Sequence, residues 1–235
     1  MTAAAPSALS RALILGASRG LGLAIAEQYL KRGWLVVATV RASGSALESL
    51  AKRWPERLSI EYVDINVPDQ VSALHARLAA TPFDLLFVNA GVKNDDRETI
   101  ADVSTDEFVR VMITNALSPL RAVETLDDLV REDGTIGLMT SGQGSIANNE
   151  TGGYEVYRGS KAALNMFMRS YAARHRGDKR ALLLMAPGWV RTDMGGANAY
   201  LSIDESVPAL VDTIEAQRGK RGLQYLDRLG ATVPW

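Results

Sequence analysis

The stretch YEVYRGSK places Tyr157 four residues before Lys161. On a helix that spacing puts both side chains on one face, about one turn apart. A lysine charge held there favours the phenolate of a tyrosine whose free pKa is about 10. Such a pair is a general acid/base able to work near neutral pH. The same spacing also fits an amphipathic helix that merely shows two polar side chains to water, so the pair needs support from elsewhere in the chain.

A second group is GASRGLG, from Gly16 to Gly22, which follows an apolar run and opens a segment of helical period. Glycines there permit a tight turn and a close backbone approach to a pyrophosphate, whose charge a helix N-terminus favours. The spacing is G-x-x-x-G-x-G, not G-x-G-x-x-G, and alone it also fits a plain turn. Its strand–turn–helix setting points to dinucleotide binding by Gly16, Ser18, Arg19, Gly20, Leu21 and Gly22. NAD proteins carry an acid about 20 residues past the glycines, where it holds the ribose hydroxyls. Here that stretch is ATVRASGS, with Arg41 and no acid. The forked donors of Arg41, and of Arg19 in the loop, suit a 2′-phosphate. The expected cofactor is therefore NADP(H), the plain alternative being two solvated arginines.

Apolar runs alternate with helical segments along the chain. RALILG (11–16), WLVVATV (34–40), LSIEYVDI (58–65), FDLLFVNAG (83–91), GTIGLMTS (134–141), RALLLMAPG (180–188) and GLQYLD (222–227) read as strands. Between them lie helical stretches over 21–33, with Leu21, Ile25, Tyr29 and Leu30 on one face, a long one near 104–130, and one through Tyr157 to about Arg174. Strands apolar on both faces that alternate with helices imply a parallel sheet covered on both sides. Right-handed crossovers then build a Rossmann-like, doubly wound α/β fold of about seven strands. With no repeat or linker, one domain over 1–235 is expected, residues 1–9 being a loose lead-in.

Bulk properties exclude several classes. The net charge of -1, from 26 basic and 27 acidic residues, leaves no footprint for nucleic acid or an anionic membrane. With no cysteine there is neither disulfide nor thiolate chemistry. His75 and His175 have no companion ligands nearby and read as surface helix residues, so no metal is expected. MTAAAPSALSR does not look like a signal peptide, and no apolar run reaches membrane-spanning length; a cytoplasmic protein is the expectation.

Taken in order, these motifs resemble the short-chain dehydrogenase/reductase family almost end to end. GASRGLG resembles its glycine motif. The resemblance implies that Asp64 and Ile65 hold the adenine, and that Asn89, Ala90 and Gly91 (NAG) line the cofactor and steady the sheet. It also implies catalytic roles for Asn115, Ser141, Tyr157 and Lys161, with Asn115 kinking its helix and holding a water that passes protons towards Lys161. PGWVRTDM resembles the segment flanking the nicotinamide, with Pro187, Gly188, Val190 and Thr192 as cofactor contacts. Gly16, Arg41, Asp64, Asn89, Ser141 and Pro187 each close a different expected strand, where such folds bind ligands. That coincidence favours chemistry for Tyr157 and Lys161.

The serine-to-tyrosine spacing is longer than is usual in the family. A loop insertion in SIANNETGGYEVY, beside the substrate pocket, explains it more readily than Ser145 replacing Ser141. The GSI…N…GG…YR.SKAALN pattern and the GATVPW ending look most like the single-domain carbonyl reductases related to sniffer and bacterial C-factor. The resemblance implies an NADPH-dependent reductase for a small carbonyl or alcohol substrate. It also implies a homodimer or homotetramer through the helices near 104–130 and 157–174, with a monomer as the alternative. Val92, Tyr154, Trp189 and Met194 either wall the pocket or serve the core or an interface. GGANAY (195–200) is either a lid or an ordinary loop, and the charged stretch 93–107 reads as a solvated loop. The rival reading is a regulatory protein that binds dinucleotide with little or no turnover.

Overall fold

A computed structural model describes residues 9–235, so most of the expected lead-in, residues 1–8, lies outside the described residues. Seven strands form: β1 (Arg11–Leu15), β2 (Leu35–Val40), β3 (Leu58–Tyr62), β4 (Phe83–Val88), β5 (Val130–Met139), β6 (Ala181–Ala186) and β7 (Gly222–Asp227). They make one sheet in the order β3-β2-β1-β4-β5-β6-β7, with each neighbouring pair parallel. The helices are α1 (Gly20–Lys31), α2 (Ala46–Arg53), α3 (Pro68–Leu78), α4 (Thr105–Met112), α5 (Ser118–Leu126), α6 (Glu155–Arg174) and α7 (Ile203–Ala216).

Successive strand side chains point to opposite faces, so the sheet divides the core in two. Leu13 and Leu15 of β1 face a cluster with Val71 and Leu74 of α3, Val123 and Leu126 of α5, and Leu164 and Met168 of α6. Ala12 and Ile14 face the other cluster, with Ile25 and Tyr29 of α1, Leu47 and Leu50 of α2, and Leu210 and Ile214 of α7. Strands buried on both sides are apolar throughout, which is why they read so clearly in the sequence. Of the face expected for the first helix, Ile25, Tyr29 and Leu30 are fully buried, while Leu21 packs only partly against the core.

Three elements differ from expectation. The stretch near 104–130 is not one helix. α4 passes into a π-helical turn, Ile113–Leu117, before α5, and a 3₁₀ turn, Asp127–Leu129, follows. β5 starts at Val130, four residues early, across a register shift against β4 between Phe83 and Leu85. α7 was not anticipated. It carries Pro208 inside, but Ser202 and Glu205 form a capping box at its start, which is a local helix signal.

Chain order reverses between β1 and β4. The crevice beyond the carboxyl ends of these two strands is the topological switch point, where such sheets bind ligands.

Candidate active site

Because all strands run parallel, their carboxyl ends share one edge. Gly16, Arg41, Asn89 and Pro187 each follow a strand by one residue, Asp64 and Ser141 by two. The residues expected to bind cofactor and to act chemically therefore meet along a single rim.

At the switch point the glycine loop packs directly on the β4 exit. A Cβ on Gly16 would stand 2.8 Å from the Ala90 backbone, and one on Gly22 would stand 2.2 Å from the Gly16 carbonyl. Gly16 also has φ +86°, which side chains rarely adopt. The Asn89 amide closes the join by donating to the Gly16 carbonyl at 2.8 Å. The loop is thus a tight backbone turn at the start of α1, with Arg19 exposed and Ser18 and Gly20 part-buried. Arg41 stands exposed just past β2. Arg19 is also exposed, but its guanidinium pairs with Asp193 at 2.7 Å, across to the segment after β6. So exposed an ion pair holds the arginine weakly.

Asp64 accepts from the Asn66 amide at 2.9 Å through one carboxylate oxygen. Ile65 and Val190 turn their side chains into the interior, so only their backbone can face a ligand. Pro187 is fixed by the buried Ser206 hydroxyl, which donates to its carbonyl at 2.7 Å. Thr192 Oγ1 accepts from the Gly195 amide at 3.0 Å, and Gly188 is exposed beside them.

Tyr157 and Lys161 project from the first turns of α6 towards the end of β5. Ser141 Oγ caps the short 3₁₀ turn Gly142–Gly144 by accepting from Gln143 N at 3.2 Å, which uses a lone pair and not the serine proton. The Lys161 ammonium lies 5.9 Å from the Tyr157 ring centroid and donates to the Met139 carbonyl at 3.0 Å. Burial pulls the lysine down to about 8. Burial also pushes the Tyr157 phenol up to about 12, while its hydrogen bond with Ser141 acts in the opposite sense. The expectation that the lysine charge makes the phenolate accessible near neutral pH is therefore corrected. Desolvation dominates, and the ammonium is turned to a backbone carbonyl rather than to the phenol oxygen. The tyrosine here keeps its proton at neutral pH.

Asn115 is fully buried in the π-helical turn. Its amide nitrogen donates to the Val92 carbonyl at 2.7 Å and to Ser160 Oγ at 2.9 Å, while its oxygen accepts from Val92 N at 2.8 Å. It thereby ties the β4 exit to α6. A Cβ on Gly91 would sit 3.4 Å from the Asn115 oxygen and 3.5 Å from the Lys161 ammonium, so this glycine borders both groups.

Among the residues expected to wall a pocket, Trp189 and Met194 are exposed, and Val92 is part-buried with its backbone held by Asn115. Tyr154 is exposed and adopts the left-handed region, φ 52°, as the residue that turns the chain into α6. The GGANAY stretch is stitched to its surroundings. Trp189 Nε1 donates to the Gly195 carbonyl at 2.7 Å, Arg191 to the Ala199 carbonyl at 2.8 Å, and Val190 bridges Leu201. Stretch 93–104 is a loop of exposed ion pairs, such as Arg97–Asp95, before α4. Both histidines are on helices or their ends, His75 against Asp128 and His175 against the Tyr171 carbonyl.

Sequence reasoning passed over four buried polar residues of this site. Thr140 Oγ1 donates to Asn165 Oδ1 at 2.7 Å, and Asn165 reaches the Gly144 carbonyl at 3.3 Å. Tyr225 donates to the Ser141 carbonyl at 2.5 Å, and Ser160 receives Asn115. Asn165 lies one turn beyond Lys161 on the same face, a spacing that was visible. Tyr225, far off on β7, had no local signal.

Residues 10–200 match the family model of the short chain dehydrogenases. The chain is 35% identical over 165 residues to the C-signal of Myxococcus xanthus, covering 69% of this chain and 99% of that one. It is 31% identical over 234 residues to the 1-hydroxy-2-glutathionyl-2-methyl-3-butene dehydrogenase of Rhodococcus sp. strain AD45, covering 97% and 100%. Three solved structures, each covered whole by 97% of this chain, have the same fold. A short-chain dehydrogenase/reductase from Burkholderia multivorans with bound NADP is 60% identical, TM-score 0.96. A carbonyl reductase from Pseudomonas aeruginosa in complex with NADP is 36% identical, TM-score 0.91. The carbonyl reductase Sniffer of D. melanogaster is 28% identical, TM-score 0.88. The protein belongs to the short-chain dehydrogenase/reductase family, among oxidoreductases of the carbonyl reductase type.

Proposed function

We propose that this protein is an NADPH-dependent reductase that converts a carbonyl (aldehyde, ketone or quinone) to an alcohol, with Tyr157 as general acid. The observation that carries the reading is the meeting of Ser141, Tyr157 and Lys161 on the sheet edge that also holds the glycine cradle. The glycine loop supports a dinucleotide, since the lack of side chains at Gly16 and Gly22 lets it pack on the β4 exit and turn at once into the N-terminus of α1, which favours a pyrophosphate. Arg41, with no acid beside it, fits a 2′-phosphate, and Arg19 can exchange Asp193 for the same group. Relatives solved with NADP support that choice.

When bound, NADPH supplies the hydride. Ser141 donates its hydroxyl proton to the substrate oxygen and polarises the carbonyl. Tyr157, which burial keeps protonated, gives its proton to the forming alkoxide. Lys161 holds the ribose hydroxyls and stabilises the tyrosinate left behind. The Asn115 side chain is committed to Val92 and Ser160, so a proton path to Lys161 has only its second oxygen lone pair to use. Asp64, Ile65, Asn89, Ala90, Gly91, Pro187, Gly188, Val190 and Thr192 line the cofactor. Val92, Tyr154, Trp189 and Met194 face the substrate.

The likeness to C-signal keeps a second reading in view, a dinucleotide-binding regulatory protein with little turnover. Tyr157→Phe separates the two. For a reductase, kcat falls by about 10²-fold or more while NADPH still binds. A Tyr157→Phe protein with wild-type kinetics would contradict the assignment.

A further inference from the structure

We propose that Tyr225 is a positioning residue for Ser141: its hydroxyl grips the Ser141 carbonyl and so sets where the serine hydroxyl stands beside Tyr157. This rests on the reading of Ser141 and Tyr157 as reductase residues.

Ser141 lies beyond the end of β5, where the sheet stops supplying partners; the last bond across to β6 is Thr140 N to the Met185 carbonyl, 2.9 Å. Its own carbonyl accepts two donors. Gly144 N, at 2.9 Å, belongs to the same short turn and moves with it. Tyr225 Oη, at 2.5 Å, comes from β7, 84 residues away, and ties the turn to the body of the sheet.

Tyr225 is itself held. It is 2% exposed, and its backbone is registered against Leu184 of β6. Its ring packs on Trp235 at 5.4 Å between centroids, and the Arg169 guanidinium lies over Trp235 at 4.6 Å. The Trp235 backbone oxygen accepts from Ala147 N at 3.0 Å, so this aromatic group also pins the loop that follows the turn. Burial pushes the phenol up to about 12, which keeps it a donor. Asn165 binds Thr140 and the Gly144 carbonyl. Residues before, at and after Ser141 are thus fixed from α6 and β7 together. A hydroxyl that must meet a carbonyl oxygen needs this kind of support, because a misplacement of about 1 Å can cost about 10²-fold in rate.

The test is a double-mutant cycle on kcat, read by single-turnover hydride transfer so that slow variants remain measurable. Tyr225→Phe removes one hydroxyl and keeps the ring. It should lower kcat by about 10-fold or more and leave the KM for NADPH within about two-fold. In a Ser141→Ala background the same substitution should cost less than about two-fold, since its effect acts through the serine. An equal loss in both backgrounds, or no loss in either, overturns the positioning role. If Ser141→Ala alone keeps wild-type turnover, it is the reductase reading of the site that falls.

Discussion

Lys161 shows how burial and function conflict in one side chain. The residue is 3% exposed, and its ammonium donates to a backbone carbonyl, not to an acid. Burial pulls it from 10.5 to about 8, so at pH 7 the fold carries a charge it disfavours. Between about pH 8 and its ordinary value the unfolded chain binds more protons than the folded one, so this group makes stability rise with pH. Lys161→Met should therefore stabilise the cofactor-free protein at pH 7 by about 1–3 kcal/mol, raising Tm by about 2–4 °C per kcal/mol, while abolishing turnover. The advantage should shrink steadily from pH 8 to pH 10. Thermal melts across that range check it, and a Met variant less stable than wild type at pH 7 would contradict it.

Glycines within the elements make opposite demands. Gly22, in the first turn of α1, meets the Gly16 carbonyl and the Asn89 amide so closely that a Cβ cannot enter without moving backbone. Gly22→Ala should cost about 1–3 kcal/mol through overpacking and weaken NADPH binding, as read by fluorescence titration. Gly159 lies inside α6, exposed, with open space where its Cβ would be. Gly159→Ala should stabilise by about 0.5–1 kcal/mol, the helix-propensity difference. A Gly22→Ala protein as stable as wild type would contradict the close-packed cradle.

What was legible follows from the same distinction between local and distant causes. The strands were visible because burial on both faces writes a continuous apolar run, and the rim residues because each directly follows one. The break at Asn115 was legible only through the family resemblance, which implies a kinked helix there; the pairing of its side chain with Val92, 23 residues earlier, is a contact that no local signal reports. The Thr140–Asn165 and Ser141–Tyr225 contacts, 25 and 84 residues apart, were hidden for that reason. α7 was missed although Ser202 and Glu205 announce it, because Pro208 and the glycine-rich stretch before it argue locally against a helix. The sign of the Tyr157 shift depends on burial, which four-residue spacing cannot report.

At the scale of the molecule, one parallel sheet gathers the glycine loop, Arg41 and the Ser141–Tyr157 pair along a single edge. Among the described residues no helix is long and apolar enough to cross a membrane. Phe108 and Val109 on α4 and Met166 and Phe167 on α6 leave apolar surface exposed on the helices expected to pair. A dimer or tetramer through that face is the assembly proposed, against a monomer, and light scattering decides between them. The central claim is NADPH-dependent carbonyl reduction. It is tested most directly by following cofactor absorbance with aldehydes, quinones, diketones and keto esters, NADPH and NADH in parallel. Turnover on some of these carbonyls, with NADPH favoured and the preference lost in Arg41→Ala, is the predicted result. Tight NADPH binding with no turnover on any member of the panel would contradict it.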